Sequence, residues 1–403
     1  MGVDRISRNI VWISITSKLT ADFRTIQDQI RVRNMWFIDK LNMHQDHESQ
    51  LSIVGSERVI RVDIQTLEVL SDSPKSLKHE GSFSSSVTIR CNGTRVQVTG
   101  NPSRWNRAEN LFGFTSIEEC VSVYNHILLT QGLPPFTKAT MVQYRQGEDG
   151  SKFEVVTNGA VLTHIDVTRN LSVGAGCEVS YLRGLSTQTI GKSKEPYLYP
   201  NNMTVDWYKG STVRYTKIYV KSHDLKAHQK KRLKSASEQE KKDYESVINY
   251  CENIGLVREE HSFKSPWLKR KKLNVYGYAG LADIEKYTNE LGDAMKRLEV
   301  VDTRYEDVAE QLLNANVVKS MQAANATQSV AMRWQFGLSI DKKKRQYYEH
   351  KKRLLQIGID ISIPLDTSKS IPQIRSNKVI NISPLNPPNW YQMPQVPTLK
   401  AVC

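Results

Sequence analysis

Three strand-like segments of this chain carry residue types whose spacing could do chemistry. From Val213 to Lys221, period-two alternation places Val213, Tyr215, Lys217, Tyr219 and Lys221 on one face and Arg214, Thr216, Ile218 and Val220 on the other. Two Tyr and two Lys side by side are poor core material but suit a phosphate site. A phenol, with a reference pKa near ~10, is a weak nucleophile at neutral pH. A neighbouring ammonium or a metal would favour the phenolate and steady charge on a phosphate. The same face also reads as an exposed strand decorated with Tyr and Lys, and composition alone favours that plainer reading. On Gly159–Thr168, Leu162, His164, Asp166 and Thr168 share a face, so His164 and Asp166 can converge on one cation. Most His-x-Asp strands bind nothing. In Gly255–Lys264, Arg258, Glu260 and Lys264 share parity while Glu259 points away with Val257. Arg and Glu so placed usually form a structural ion pair; against a phosphodiester, Arg would hold the phosphate and Glu a metal. Gly191-Lys192-Ser193 imitates a P-loop, but six residues separate it from Gly184 where four are needed, and Lys194-Glu195-Pro196 follows where a helix should begin.

The elements that must position these groups are mostly short strands. Over the first 275 residues, NIVWISIT, RVIRVDIQTL, SVTIRCNGTRVQVTG, GAVLTHIDVT and TVRYTKIYVKS alternate in polarity, and Asn92-Gly93 is a hairpin signal. Ile117–Leu129 and Ser235–Asn253 read as helices, the second with Val247, Ile248 and Cys251 on one face. After about Gly280 the period changes: Ile284, Tyr287, Leu291, Met295 and Leu298 recur at helical spacing, and Val308–Ser320 and Gln346–Gln356 continue it. The last 40 residues, rich in Pro, Ser and Asn, read as an extended tail anchored by Trp390 and Tyr391. The pattern predicts an α+β chain: a mainly antiparallel sheet domain over 1–279, a helical basic domain over 280–365 and a tail over 366–403.

At 403 residues, 39% hydrophobic and 24% charged, the composition is that of a globular protein of more than one domain. No run of about 18 apolar residues is present, so neither a membrane partner nor secretion is expected. Five widely spaced cysteines exclude the common zinc spacings and suggest a reducing compartment. The formal charge is +14, and basic residues cluster: nine Lys/Arg against Asp224 alone in 209–234, five in 264–272 and seven in 342–353. Such clusters interleaved with Tyr and Trp suit a polyanion, although each alone could be a solvated surface.

In order and spacing, these segments resemble the replication-initiation endonucleases of filamentous phages, the gene II protein family. The likeness runs from Asn101-Pro102-Ser103-Arg104 and Ala108-Glu109-Asn110-Leu111-Phe112-Gly113, through His164-Ile165-Asp166, to Trp207, Arg214, Tyr219-Val220-Lys221, Asp224 and Leu256-Val257-Arg258-x-Glu260 with Lys264. It is looser at Tyr347–Ile359 and at Pro388–Tyr391. It implies a rolling-circle initiator of the host cytoplasm that nicks one strand of supercoiled double-stranded DNA at the phage origin and later rejoins the displaced single strand. Tyr219 would be the nucleophile and Lys221 would offset phosphate charge. Asp166 and Glu260 would hold Mg²⁺ or Mn²⁺, with His164, Asp224 and Glu109 as further ligands. Arg258, Lys264, Arg214, Lys217 and Arg104 would contact DNA. Glu109 stands where the family commonly has His, and Gln97 replaces an acidic position. Tyr215, two residues before Lys217, is the rival nucleophile. A non-catalytic origin- or operator-binding regulator is the alternative function. The helical region would serve DNA or a protein partner, either a host helicase or a second copy self-associating on DNA.

Overall fold

The computed structural model describes residues 35–55, 57–146, 153–192, 195–299, 308–365 and 382–397. The expected strand NIVWISIT lies outside them. Strands β1 (Phe37–Asp46), β2 (Arg58–Val62), β3 (Val69–Pro74), β4 (Leu77–Glu80), β5 (Ser86–Asn92) and β6 (Arg95–Gly100) precede helix α1 (Ile117–Thr130). There follow β7 (Val142–Gln146), β8 (Phe153–Thr157), β9 (Val161–Ser172), α2 (Glu178–Leu185), β10 (Tyr197–Leu198), β11 (Thr204–Trp207) and β12 (Arg214–Val220). Next come α3 (Lys221–Arg232), α4 (Glu238–Asn253), β13 (Leu256–Lys264) and α5 (Ser265–Lys271). Helices α6 (Leu281–Glu285), α7 (Asn289–Glu299), α8 (Val308–Asn314), α9 (Met321–Gln335) and α10 (Arg345–Gln356) lead to the short strand β14 (Ser383–Pro384).

One antiparallel sheet organises the molecule, in the order β10-β11-β12-β13-β9-β1-β6-β5-β4, with β14 added beside the end of β9. The fold is thus the α+β arrangement that the alternation predicts. Parity sorts the side chains into two faces. On the back face, Ile38, Leu41, Ile165 and Val167 pack with α1 residues such as Val121 and Tyr124. Farther along, Val205, Trp207, Ile218 and Val257 pack with Leu182 and Leu185 of α2 and Leu291 of α7. The front face carries the polar residues of β9, β12 and β13, flanked by an apolar cluster of Phe37, Phe112, Leu225, Tyr244, Ile248 and Tyr391. Ser116 and Ser237 each close a capping box at the start of α1 and α4, satisfying first-turn amides.

Local boundaries differ from expectation for identifiable reasons. The β5–β6 turn falls on Gly93-Thr94, since Asn92 pairs with Arg95 and Gly93 takes the positive φ of +66°. β12 ends at Val220, and Lys221 opens α3. The helices after Gly280 divide: Leu281 and Ile284 join the sheet's first core, and Leu291, Ala294 and Met295 join its second. A separate helical core, including Val308, Leu312, Ala324, Ala331, Tyr347 and Leu354, begins only at Val308.

Candidate active site

Strand register brings the three candidate segments onto one face. Tyr219 pairs with Arg258, Lys217 with Glu260 and Tyr215 with Ser262; across β13, Arg258 faces Asn170, Glu260 faces Thr168 and Ser262 faces Asp166. Tyr219 is half-buried, with the Lys217 ammonium 5.1 Å and the Lys221 ammonium 5.9 Å from its ring centroid. Among the described residues its hydroxyl makes no hydrogen bond. The Tyr215 hydroxyl, in contrast, donates to Asp206 Oδ1 at 3.1 Å, and Tyr199 donates to Oδ2 at 2.9 Å. Burial holds the Tyr219 phenol above its ordinary pKa, Arg258 and Lys217 pull it back in part, and Glu260 and Asp224 add to the rise.

Carboxylates crowd the middle of this face. Glu260 is salt-bridged to Lys217 at 2.7 Å, yet burial, with the charges of Asp166 and Asp39, pushes its pKa up to about 7. Asp166 is buried too, but hydrogen bonds from His164 (2.7 Å) and Ser262 carry it below its ordinary value. Asp39 was not foreshadowed by the alternation of the strands. It is the extra residue of an irregularity in β1, where Ile38 pairs with Val167 and Lys40 already with Asp166. Such a bulge turns a side chain that regular alternation would place elsewhere, and it leaves no mark in composition. Hard oxygen donors that repel one another are what Mg²⁺ or Mn²⁺ relieves. Among the described residues no three His, Cys, Asp or Glu side chains form a ready cage. Mg²⁺, however, commonly takes one or two carboxylates and completes its shell with water and substrate phosphate. Asp166 and Glu260 fit that use.

A loop beside this face ties it together. Asn110 donates to Asp39 and accepts from Lys221 Nζ at 3.1 Å, while Lys221 also bonds Asp224 at 2.8 Å. Arg258 is wholly enclosed, with Nε on Asn170 Oδ1 at 3.0 Å and Nη2 on the Asn110 and Leu111 carbonyls at 2.8 and 2.6 Å. Its charge reaches Tyr219; Nε and Nη2 bond inside the protein, while Nη1, 4.0 Å from Asp39, has no hydrogen-bond partner among the described residues. The loop is held in turn by the C-terminal tail: the Tyr391 hydroxyl donates to Glu109 or the Phe112 carbonyl at 3.1 Å and accepts from the Phe112 amide at 3.0 Å. The tail anchor expected at Tyr391 therefore bears on the same loop.

The remaining sequence candidates lie apart from the carboxylates. Glu109 is bound by Arg107 at 2.7 Å as well as by Tyr391. Asp224 lies in α3, drawn well below the usual carboxylate range against its burial by Lys221, Arg232 and Arg258. Arg214 has back-face parity and pairs with Glu290 at 3.0 Å. Lys264 bonds the Ser211 carbonyl at 2.6 Å. Arg104 bonds the Phe83 carbonyl at 2.6 Å, and burial beside Arg232 lowers it to about 10. Trp207 is core, its indole bonded to the Gln188 carbonyl at 2.9 Å.

Two family models match this chain, "Replication-associated protein G2P N-terminal" over residues 37–280 and "Replication-associated protein G2P C-terminal" over residues 312–397. The chain belongs to the replication-associated protein G2P family. Among curated proteins it is similar to replication-associated protein G2P of Escherichia phage If1, 34% identical over 315 residues that cover 76% of this chain and 98% of that protein. A solved rolling circle replication initiator from Geobacillus stearothermophilus is 8% identical at a TM-score of 0.22, over 59% of this chain and 76% of that one, a likeness too slight to carry an argument.

Proposed function

We propose that this rolling-circle replication initiator cuts one strand of double-stranded phage DNA at the origin with Tyr219 as nucleophile, and later rejoins the displaced single strand. The observation that carries the reading is the contrast between two tyrosines of one strand. Tyr219 has an uncommitted hydroxyl on the face of Lys217, Asp166 and Glu260, whereas Tyr215 is committed to Asp206. In the nicking step the Tyr219 oxygen forms a bond to phosphorus and the bond from phosphorus to the 3′ oxygen breaks. The phenol gives up a proton, the leaving oxygen takes one up, and the 5′ phosphate stays on tyrosine. The freed 3′-OH can reverse the exchange without ATP.

In this reading Lys217 and Lys221 flank the attacking ring and offset phosphate charge. Asp166 and Glu260 would hold Mg²⁺ or Mn²⁺, which when bound supplies Lewis-acid stabilisation of the scissile phosphate. Arg258 positions the loop and Asn170 from beneath. His164 orients Asp166, Asp224 steadies Lys221, and Glu109 fixes the loop through Tyr391. Lys264, on the front-face parity, would add charge at the far end of the site, whereas Arg214 on the back face and Arg104 on the Phe83 carbonyl are held in structural contacts. The division proposed is a catalytic body that takes in the helices up to Met295, a helical region from Val308 and a tail, and the helical region would meet DNA, a host helicase or a second copy. Among the described residues no helix is long and apolar enough to cross a membrane, and the reading puts the protein in the host cytoplasm, where phage DNA is copied.

The test is incubation with supercoiled DNA carrying the phage's own origin, with and without Mg²⁺, followed for open circles and for phosphate on tyrosine. Tyr219→Phe should abolish nicking with origin binding nearly intact, and Tyr215→Phe should still nick. Full nicking by the Tyr219 variant would sink the assignment. Binding without cleavage by the wild type, with Mn²⁺ also tried, would leave a non-catalytic regulator.

A further inference from the structure

The front face continues past the candidate nucleophile to the open edge of the sheet. Tyr197 of β10 pairs with Asp206 of β11, which pairs with Lys217 of β12, so Tyr197 shares the row of Lys217 and Glu260. Tyr199, whose amide bonds the Thr204 carbonyl at 3.0 Å, falls in the row of Tyr219, because Thr204 pairs with Tyr219. The two rings meet edge to face at 5.0 Å. The exposed Lys209 ammonium sits 3.2 Å from the Tyr197 centroid and 5.0 Å from that of Tyr199. Tyr199 is fixed by its bond to buried Asp206, while Tyr197 is 40% exposed.

Exposure alone is ordinary for a tyrosine; the placement of this one, at the margin of the candidate site, is what asks for an occupant. Several features choose the occupant. β10 is the outermost strand in the sheet order, so nothing pairs beyond it among the described residues. The rings lie two strand spacings, about 10 Å, from the strand that carries Tyr219. The exposed charge beside the rings is basic, from Lys209, since Asp206 is buried under two tyrosine hydroxyls and Glu260 is paired with Lys217. A ring with a cation over one face, at the margin of a phosphate site, matches an unpaired nucleotide: base on the ring's other face, phosphate on the ammonium. Duplex DNA keeps its bases stacked on each other and offers the ring no π face.

We propose that Tyr197 and Tyr199, braced by Lys209, form a stacking platform for an unpaired base of single-stranded DNA next to the scissile phosphate. The proposal rests on the reading of Tyr219 as the nicking residue. The platform selects the opened strand over the duplex and feeds it across the sheet edge. It would act both when the origin is first melted and when the displaced strand returns to be rejoined.

The experiment uses the full chain and single-stranded oligonucleotides of the phage origin carrying 2-aminopurine at successive positions on either side of the nick. Wild type should quench the fluorescence at one or two of those positions. Tyr197→Ala should lose the quench, bind about 5- to 150-fold more weakly, and raise KM for the single strand with kcat nearly unchanged. Tyr197→Phe, which keeps the ring, should behave as wild type. Unchanged binding and quenching in Tyr197→Ala, or a wild type that cuts the oligonucleotide while quenching at no position, would overturn the platform. A wild type that binds but never cuts would instead defeat the Tyr219 reading, so the two failures are separable.

Discussion

Tyr219 stands between two ammonium groups held by different partners, Lys217 by Glu260 and Lys221 by Asn110 and Asp224. Burial works against the charge of both. Glu260, with Tyr219 and Tyr215, raises Lys217 in spite of it, whereas Lys221, beside Arg258, stays below its ordinary value. Lys217 is therefore the more firmly charged of the two. Another single residue sets a pH limit on the fold. His44 in β1 is kept neutral by burial and by Arg95, its pKa lowered to about 4. Between that value and the unfolded pKa near 6.5, the unfolded chain binds a proton that the native state does not, so stability rises with pH. Acidification from pH 7 to 4 should cost up to about 3 kcal/mol through this group; urea titrations of wild type and His44→Gln should show the variant with a flatter profile. At this scale period two put Tyr219, Asp166 and Glu260 on their strand faces, while the choice of Tyr219 over Tyr215 came from the family resemblance. Asp39 stayed hidden because a bulge breaks that period, and the bracing role of Asn110, named only within the resemblance, because its partners are all far away in sequence.

β13 shows how a strand dense in charge can lie in the middle of a sheet. Its segment Arg258-Glu259-Glu260-His261 is ionisable throughout, yet every residue from Leu256 to Phe263 is buried, because the strand lies between β12 and β9. Each charge is matched: Glu259, wholly enclosed on the back face, bonds Arg169 at 2.6 Å and His261 at 2.7 Å, as buried charges require. Parity on this strand was legible, burial was not, since burial depends on which strands become neighbours. Helix α9 escaped notice for a related reason: its small and polar residues give a weak stripe, and only Ala324, Thr327 and Ala331 are buried. The loop at Glu109–Phe112 takes part of its hold from one tail hydroxyl. Tyr391→Phe should destabilise the protein by about 1–3 kcal/mol by leaving buried partners unmet, readable as a lower urea midpoint with unchanged slope. A midpoint equal to wild type would mean that water replaces the hydroxyl.

At the scale of the whole molecule, the formal +14 is unevenly placed. Lys342–Arg345 are exposed at the start of α10, on the helical core that begins at Val308. If that helix lies on DNA, replacing Lys343, Lys351 and Lys352 with Gln should reduce the slope of log affinity against log salt by about 0.9 for each phosphate that is no longer neutralised. An unchanged slope would assign the surface to a protein partner. The antiparallel architecture was legible because its strands alternate; the split of the helices between sheet cores and a separate core was not, because helical period says nothing of which core a helix joins. The tail has a consequence in time. Glu109 and Tyr391 are 282 residues apart, and a ribosome adds about 5–20 residues per second, so the loop waits roughly 15–55 s for its last partner. A nascent chain thus carries Tyr219 long before it carries the tail residue that braces the neighbouring loop.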